Sequence, residues 1–193
     1  MSESTALTPY KSQYVAKKKL FTFLGAAFRL FTSDGELAFF IKQKAFKLKE
    51  EITVYKDEGQ TDAMLTIKAR KVLDVSATYD VTDAKSGEQV GALQRKGLKS
   101  IFMDEWSILD NAGEVIGSIK EASALMAMLS RLVKLIPQTY TISIGETAVG
   151  TIKQRFNPFI LSYDVDFGSD GKLDPRTGVA AVVLLLAIEG RQQ

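Results

Sequence analysis

The sequence predicts a mainly β, α+β fold: one closed antiparallel β-barrel of about twelve strands around a central hydrophobic C-terminal helix. Three observations predict it. A strand pattern recurs five times along the chain, a turn signal precedes most of its copies, and an apolar segment follows the last strand signals.

The recurring segments are FFIKQK (39–44), LTIKAR (65–70), GALQRK (91–96), GSIKEA (117–122) and GTIKQR (150–155). Their aliphatic anchors are Ile41, Ile67, Leu93, Ile119 and Ile152. The first four stand 26 residues apart; the last step is 33, an insertion of seven. Self-similarity at a fixed period marks one supersecondary unit used repeatedly. Four copies follow a Gly-Glu dipeptide: Gly35-Glu36, Gly87-Glu88, Gly113-Glu114 and Gly145-Glu146. The remaining copy has Asp57-Glu58-Gly59. Glycine supplies the positive φ that tight hairpins need. Ahead of the turns lie aromatic and β-branched runs, FRLF (28–31), ITVY (52–55), YDV (79–81), WSIL (106–109) and YTISI (140–144). Such residues suit a pleated, half-buried surface. Each unit therefore reads as a hairpin. Five hairpins and the chain's outer strands make too many short antiparallel strands for one open sheet, which curls or closes.

Alternation assigns the faces, because residues two apart in a strand share a side. Leu37, Phe39 and Ile41 form one row and Lys42 and Lys44 the opposite one; Leu65 and Ile67 oppose Lys68 and Arg70. Three units carry glycine two residues before the anchor, Gly91, Gly117 and Gly150. An inward glycine leaves space for another backbone, and the expected occupant is the C-terminal helix over 175–189. Asp174 suits its N-cap, Pro175 its first position and Gly190 its end. VAAVVLLLAI is apolar on every side, so it must be covered on every side, as inside a barrel. Its 11-residue apolar run, 178–188, is shorter than the roughly 20 residues a bilayer span needs, so no transmembrane segment is expected.

The seven-residue insertion falls in 121–136, where Leu125, Met128, Leu129, Leu132 and Ile136 recur at helical spacing with Ser130, Arg131 and Lys134 opposite, and Pro137 stops the pattern. An amphipathic helix is expected there. Residues 1–13 are polar, lack an apolar signal core and read as a mobile tail. Residues 14–193 then form a single domain.

Composition excludes much chemistry. The 193 residues include no cysteine and no histidine, which removes thiol nucleophiles, cysteine zinc sites, disulfides and histidine-dependent triads. A formal net charge of +2 provides no strong global field, so nucleic acid is not an expected partner. Asp104 and Glu105 are adjacent in a strand, face opposite ways and cannot share a substrate. Ser100 has no histidine base, and no glycine-rich phosphate loop precedes a helix. No enzymatic activity, catalytic residue or cofactor is expected.

The chain resembles the LURP-one-related family, which belongs with tubby C-terminal domains and phospholipid scramblases. The resemblance covers about Tyr14 to Gln193 and rests on IKQK and IKAR, GLKSIFMDEWSIL (97–109), IPQTYTI (136–142), NPFILSYDVDF (157–167) and LDPRTGVAAVVLLLAIEGRQ (173–192). It implies a tubby-like, twelve-stranded barrel around a central helix, and lipid-linked behaviour, since tubby domains bind phosphoinositide headgroups and scramblase-like members are associated with membranes. Fold alone does not fix function.

The leading candidate site is a basic stripe. Lys42, Lys68, Lys120 and Lys153 share one repeat position, with Gln94 interrupting; Lys44, Arg70, Lys96 and Arg155 lie two residues on and share the outward face. Clustered cations attract anionic headgroups, at about 1 kcal/mol each near a membrane surface. The same residues also suit an ordinary solvated barrel exterior. The helix over 121–136 fits either an interfacial helix, with Met126 or Met128 beside its leucines, or a cap on one barrel end. In scramblase relatives, calcium is thought to bind just before the final helix. Here Asp166, Asp170 and Gly171 imitate parts of a calcium loop, but Gly168 and Thr177 stand where ligands belong; turn and cap roles are expected, and no metal. These observations lead to a non-enzymatic binding or scaffold protein, cytoplasmic and able to sit peripherally on anionic phospholipid membranes. The alternative is a soluble regulatory module that binds a protein partner, still unidentified, without lipid contact. A lipid scramblase comes after both, because the only long apolar helix is short and enclosed.

Overall fold

A computed structural model describes residues 9–19, 26–43, 51–70, 77–96, 105–122, 137–157 and 159–189. Twelve strands lie among them: β1 (Gln13–Lys19), β2 (Ala26–Thr32), β3 (Leu37–Gln43), β4 (Glu51–Tyr55), β5 (Ala63–Ala69), β6 (Thr78–Asp83), β7 (Gln89–Arg95), β8 (Glu105–Leu109), β9 (Val115–Glu121), β10 (Thr139–Ile144), β11 (Thr147–Arg155) and β12 (Ile160–Asp166). Each pairs antiparallel with its chain neighbour, and β1 pairs with β12, closing the barrel. One helix, α1 (Pro175–Glu189), follows. Closure gives every strand a neighbour on both sides, the β3–β4 pairing being Phe40 with Tyr55 among the described residues.

The repeat in the sequence is a repeat in the register. The anchors pair with large or branched residues of the preceding strand: Ile41 with Phe28, Ile67 with Ile52, Leu93 with Tyr79, Ile119 with Trp106 and Ile152 with Tyr140. All five anchors are buried. Each of these hairpins also carries a register shift at the corresponding place, with Ala38, Met64, Val90, Ile116 and Val149 as the extra residues. An extra residue in one strand bends it and changes which side chains share a face. That corrects one sequence expectation. Phe39 and Ile41 are fully buried, but Leu37 lies beyond the extra residue, pairs with Phe31 and is only partly buried.

The turn glycines behave as expected: Gly35, Gly87, Gly113 and Gly145 all have positive φ. In the hairpin without the Gly-Glu pair, Gln60 takes φ 61° instead, and the Asp57 carboxylate accepts the Thr61 and Asp62 amides at 3.1 and 2.9 Å.

The inward glycines have a different reason from the one the sequence suggested. A Cβ at Gly91, Gly117 or Gly150 would stand 2.5, 2.3 or 2.5 Å from the carbonyl oxygen of Leu109, Ser143 or Asp166, each on the next strand. These glycines admit a neighbouring strand, not the helix. The glycine that makes room at the helix is Gly178, on the helix itself. A Cβ there would meet the Phe167 ring at 2.8 Å.

The helix fills the barrel. Val179 to Ala187 are all buried, the most accessible being Ala181 at 3%. The Asp174 carboxylate accepts the Arg176 amide at 2.8 Å, the expected N-cap bond. The Arg176 guanidinium reaches Asp174 at 2.8 Å, Glu88 at 2.9 Å and Asp83 at 3.3 Å, fastening the helix start to the β6–β7 turn. Burial raises the Asp83 carboxyl, but amide bonds from Ser86 and Lys85 and the Arg176 contact outweigh it and leave it below the ordinary value. Toward the other end, Lys18 points inward, 6% exposed, and donates to the Leu186 carbonyl at 3.3 Å. A cation there complements the negative end of the helix dipole. Upstream of β1, Tyr10 stacks on Phe39 with ring centroids 5.3 Å apart. In the expected 121–136 helix, Glu121 is instead the last residue of β9, and 123–136 lie outside the described residues.

Candidate anion-binding face

Antiparallel order gives the barrel two chemically different mouths. At one mouth lie the tight turns and the start of α1. At the other, the odd-numbered strands end and the even-numbered strands begin. Every described residue of the basic stripe stands at this second mouth. Lys42 is on β3, Lys68 on β5 with Arg70 just beyond, Lys96 just beyond β7, Lys120 on β9, and Lys153 and Arg155 on β11. All seven are exposed. Lys44 lies outside the described residues. Cations on alternate strands are about 10 Å apart across a sheet, so the stripe forms a collar around the mouth.

Carboxylates from the even-numbered strands interleave with the collar. Lys96 and Lys120 hold Glu105 of β8 at 2.7 and 3.3 Å. Arg70 reaches Asp80 of β6 at 2.7 Å. Arg155 grips Asp164 of β12 with two nitrogens, at 2.7 and 2.5 Å. Lys68 and Lys153 stand directly across from Asp80 and Asp164 in the register. In both cases the arginine two residues on takes the carboxylate. The planar fork of a guanidinium suits two-point contact with a carboxylate, and an ammonium lacks it. Lys68 and Lys153 are consequently exposed with no ion pair among the described residues, and so is Lys42, which stands across from Ala27.

Sequence reasoning missed one member of the collar. Lys17, near the end of β1, is exposed, lies over the Phe31 ring at 5.1 Å and has no ion pair among the described residues. Strand β1 carries no copy of the repeat, so the period could not reach it. The alternation of buried Tyr14, Ala16 and Lys18 with Val15 and Lys17 is the signal that finds it.

Burial raises the Glu105 carboxyl, but hydrogen bonds from Lys96 and Lys120 outweigh it and hold the group below the ordinary value. A lowered carboxyl contributes stability that is present above its unfolded value and lost as pH falls through the folded one. Wild type should therefore show an acid-limb loss of stability, below about pH 4.5, that is smaller in Glu105→Gln. Thermal melts across that range check it.

The acidic segment before α1 serves local structure. Asp166 accepts the Gly168 amide at 2.8 Å, Asp170 accepts the Lys172 amide at 3.3 Å, and Asp174 caps the helix. Among the described residues no cluster of acidic groups could hold a metal ion, and no helix is long and apolar enough to cross a membrane.

Comparison with curated proteins and with solved structures returned no match. Comparison with family models matched the LURP-one-related family over residues 37–186, from the start of β3 to within α1. That match spans most of the chain and agrees with a closed barrel threaded by its own helix: the protein belongs to the LURP-one-related family.

Proposed function

We propose that this barrel is a non-enzymatic binding module that docks peripherally on anionic phospholipid surfaces through its basic mouth. The observation that carries the reading is the gathering of cations at one mouth, whereas the exposed Lys11 and Lys56 of the opposite mouth stand among the exposed carboxylates Asp34, Glu36, Glu88, Glu114 and Glu146. Lys17, Lys42, Lys68 and Lys153 share one mouth, exposed and without ion pairs among the described residues. An anionic surface attracts these cations together, and each cation near it contributes about 1 kcal/mol. A net charge of only +2 makes this a local attraction, screened by salt.

Co-sedimentation with neutral and with anionic vesicles, at low and moderate salt, tests the reading. Selective, salt-sensitive pelleting with anionic vesicles is expected. Lys42→Glu, Lys68→Glu and Lys153→Glu together should weaken it by at least about 100-fold. Glu105→Gln should strengthen it, because it removes a negative charge from beside Lys96 and Lys120. Equal behaviour toward neutral and anionic vesicles, or a triple variant that pellets like wild type, overturns the lipid reading and leaves a module for a protein partner.

A further inference from the structure

Two exposed phenylalanines stand at the same mouth. Phe156 and Phe159, in the β11–β12 connection, are 57% and 70% exposed. The other large apolar side chains exposed among the described residues, Val115 and Ile116, are at the opposite, tight-turn mouth beside Glu114. The backbone at Phe159 is hydrogen-bonded. The Asn157 side-chain oxygen accepts the Phe159 amide at 2.9 Å and the Ile160 amide at 3.0 Å. The Phe159 amide is thus tied to the Asn157 side chain, and less ordering is left to be done on contact.

The surroundings are cationic. From Lys153 to Tyr163 the chain carries Lys153 and Arg155 and no carboxylate. The nearest acid along β12, Asp164, is already gripped by Arg155. On the other side, β1 pairs with β12 and brings Lys17 level with Ser162. Exposed aromatics flanked by Lys17 and Lys153 on the adjoining strands match a lipid interface on both counts, with apolar rings for the acyl boundary and positive charge for the headgroups. A free anion would use the charge but leave the rings in water.

We propose that Phe156 and Phe159 form an insertion anchor that seats the basic mouth in an anionic lipid surface. This rests on the lipid reading above and adds to it a second, apolar contact. Weak peripheral attachments become stable when two signals act together.

Phe159→Trp in the full chain tests it, against mixed phosphatidylcholine–phosphatidylserine vesicles and against phosphatidylcholine alone. The native Trp106 is 1% exposed and gives a constant background. A blue shift with the mixed vesicles, quenched by brominated acyl chains, is expected. Phe156→Ser with Phe159→Ser should weaken vesicle binding about tenfold or more, with an unchanged melting temperature. Suppose wild type binds anionic vesicles, and charge reversal weakens it, yet the tryptophan does not shift and the double serine variant binds as tightly. The anchor is then overturned and the electrostatic reading stands. Absence of any vesicle binding overturns both. Self-association that the double variant abolishes, without a vesicle shift, assigns the tip to a second copy of the chain and also overturns the anchor.

Discussion

Leu185→Asp is expected to abolish the folded state. Leu185 is 1% exposed, in the middle of a helix whose neighbours from Val179 to Ala187 are all buried inside the barrel. No face of that helix can turn a carboxylate toward water. A buried charge without a partner costs several kcal/mol, commonly about 3–5, and the lost apolar contacts add about 2–5. Typical domain stability is about 5–15 kcal/mol, so the sum reaches or exceeds what is available. Insoluble expression, or the absence of a cooperative melt, is the expected readout. Leu185→Met, which nearly conserves volume, should cost less than about 1.5 kcal/mol and remain folded. A soluble Asp variant with a wild-type melt would mean that the helix leaves the barrel.

Gly117→Val carries the second-largest expected loss. A Cβ at this position falls 2.3 Å from the Ser143 carbonyl oxygen and 2.9 Å from the Ile144 side chain. The first of these is backbone, and it cannot retreat without opening the β9–β10 pairing next to it. Overpacking of this kind costs about 1–3 kcal/mol, a fall in melting temperature of roughly 2–12 °C for a chain of this size. Ser118, the next residue on β9, faces the other way and is half-buried. Ser118→Val should change stability by less than about 0.5 kcal/mol. Equal melts for Gly117→Val and wild type would show that the strands do not approach as closely as the register requires.

The two variants also mark what was legible in the sequence. The 26-residue period, the anchors and the Gly-Glu turns were enough to place five hairpins, because period-two alternation and turn chemistry are local properties. Helix α1 runs from Pro175 to Glu189, the bounds its cap and apolar run suggest. The role of Gly117 was not legible. Its partner is a carbonyl on another strand, and the pairing that brings the two together is the β9–β10 register, which a single strand's sequence does not state. The basic collar was legible as a row of residues, but its charge balance was not. Which cation takes Asp80 or Asp164 is decided by a diagonal reach between strands, and Arg70 and Arg155 win it over Lys68 and Lys153. Lys17 and the Phe159 tip lie outside the repeat, so no period pointed to them.

The closure of the barrel has a kinetic consequence. Gln13 meets Asp166 across 153 residues of chain, and Lys18 meets Leu186 across 168. Loop-closure entropy must be met before such distant pairings bring any return, which makes folding slow. Because α1 follows all twelve strands in chain order, the sheet emerges from the ribosome before the segment that fills it. Until residues 175–189 arrive, the inward rows of Phe28, Phe39, Ile67 and Trp106 have no helix to cover them. Nascent chains exposing apolar surface in this way are prone to aggregate and depend on chaperones. Synthesis halted before α1 should accordingly yield chains that bind chaperones persistently, and completion of the helix should release them.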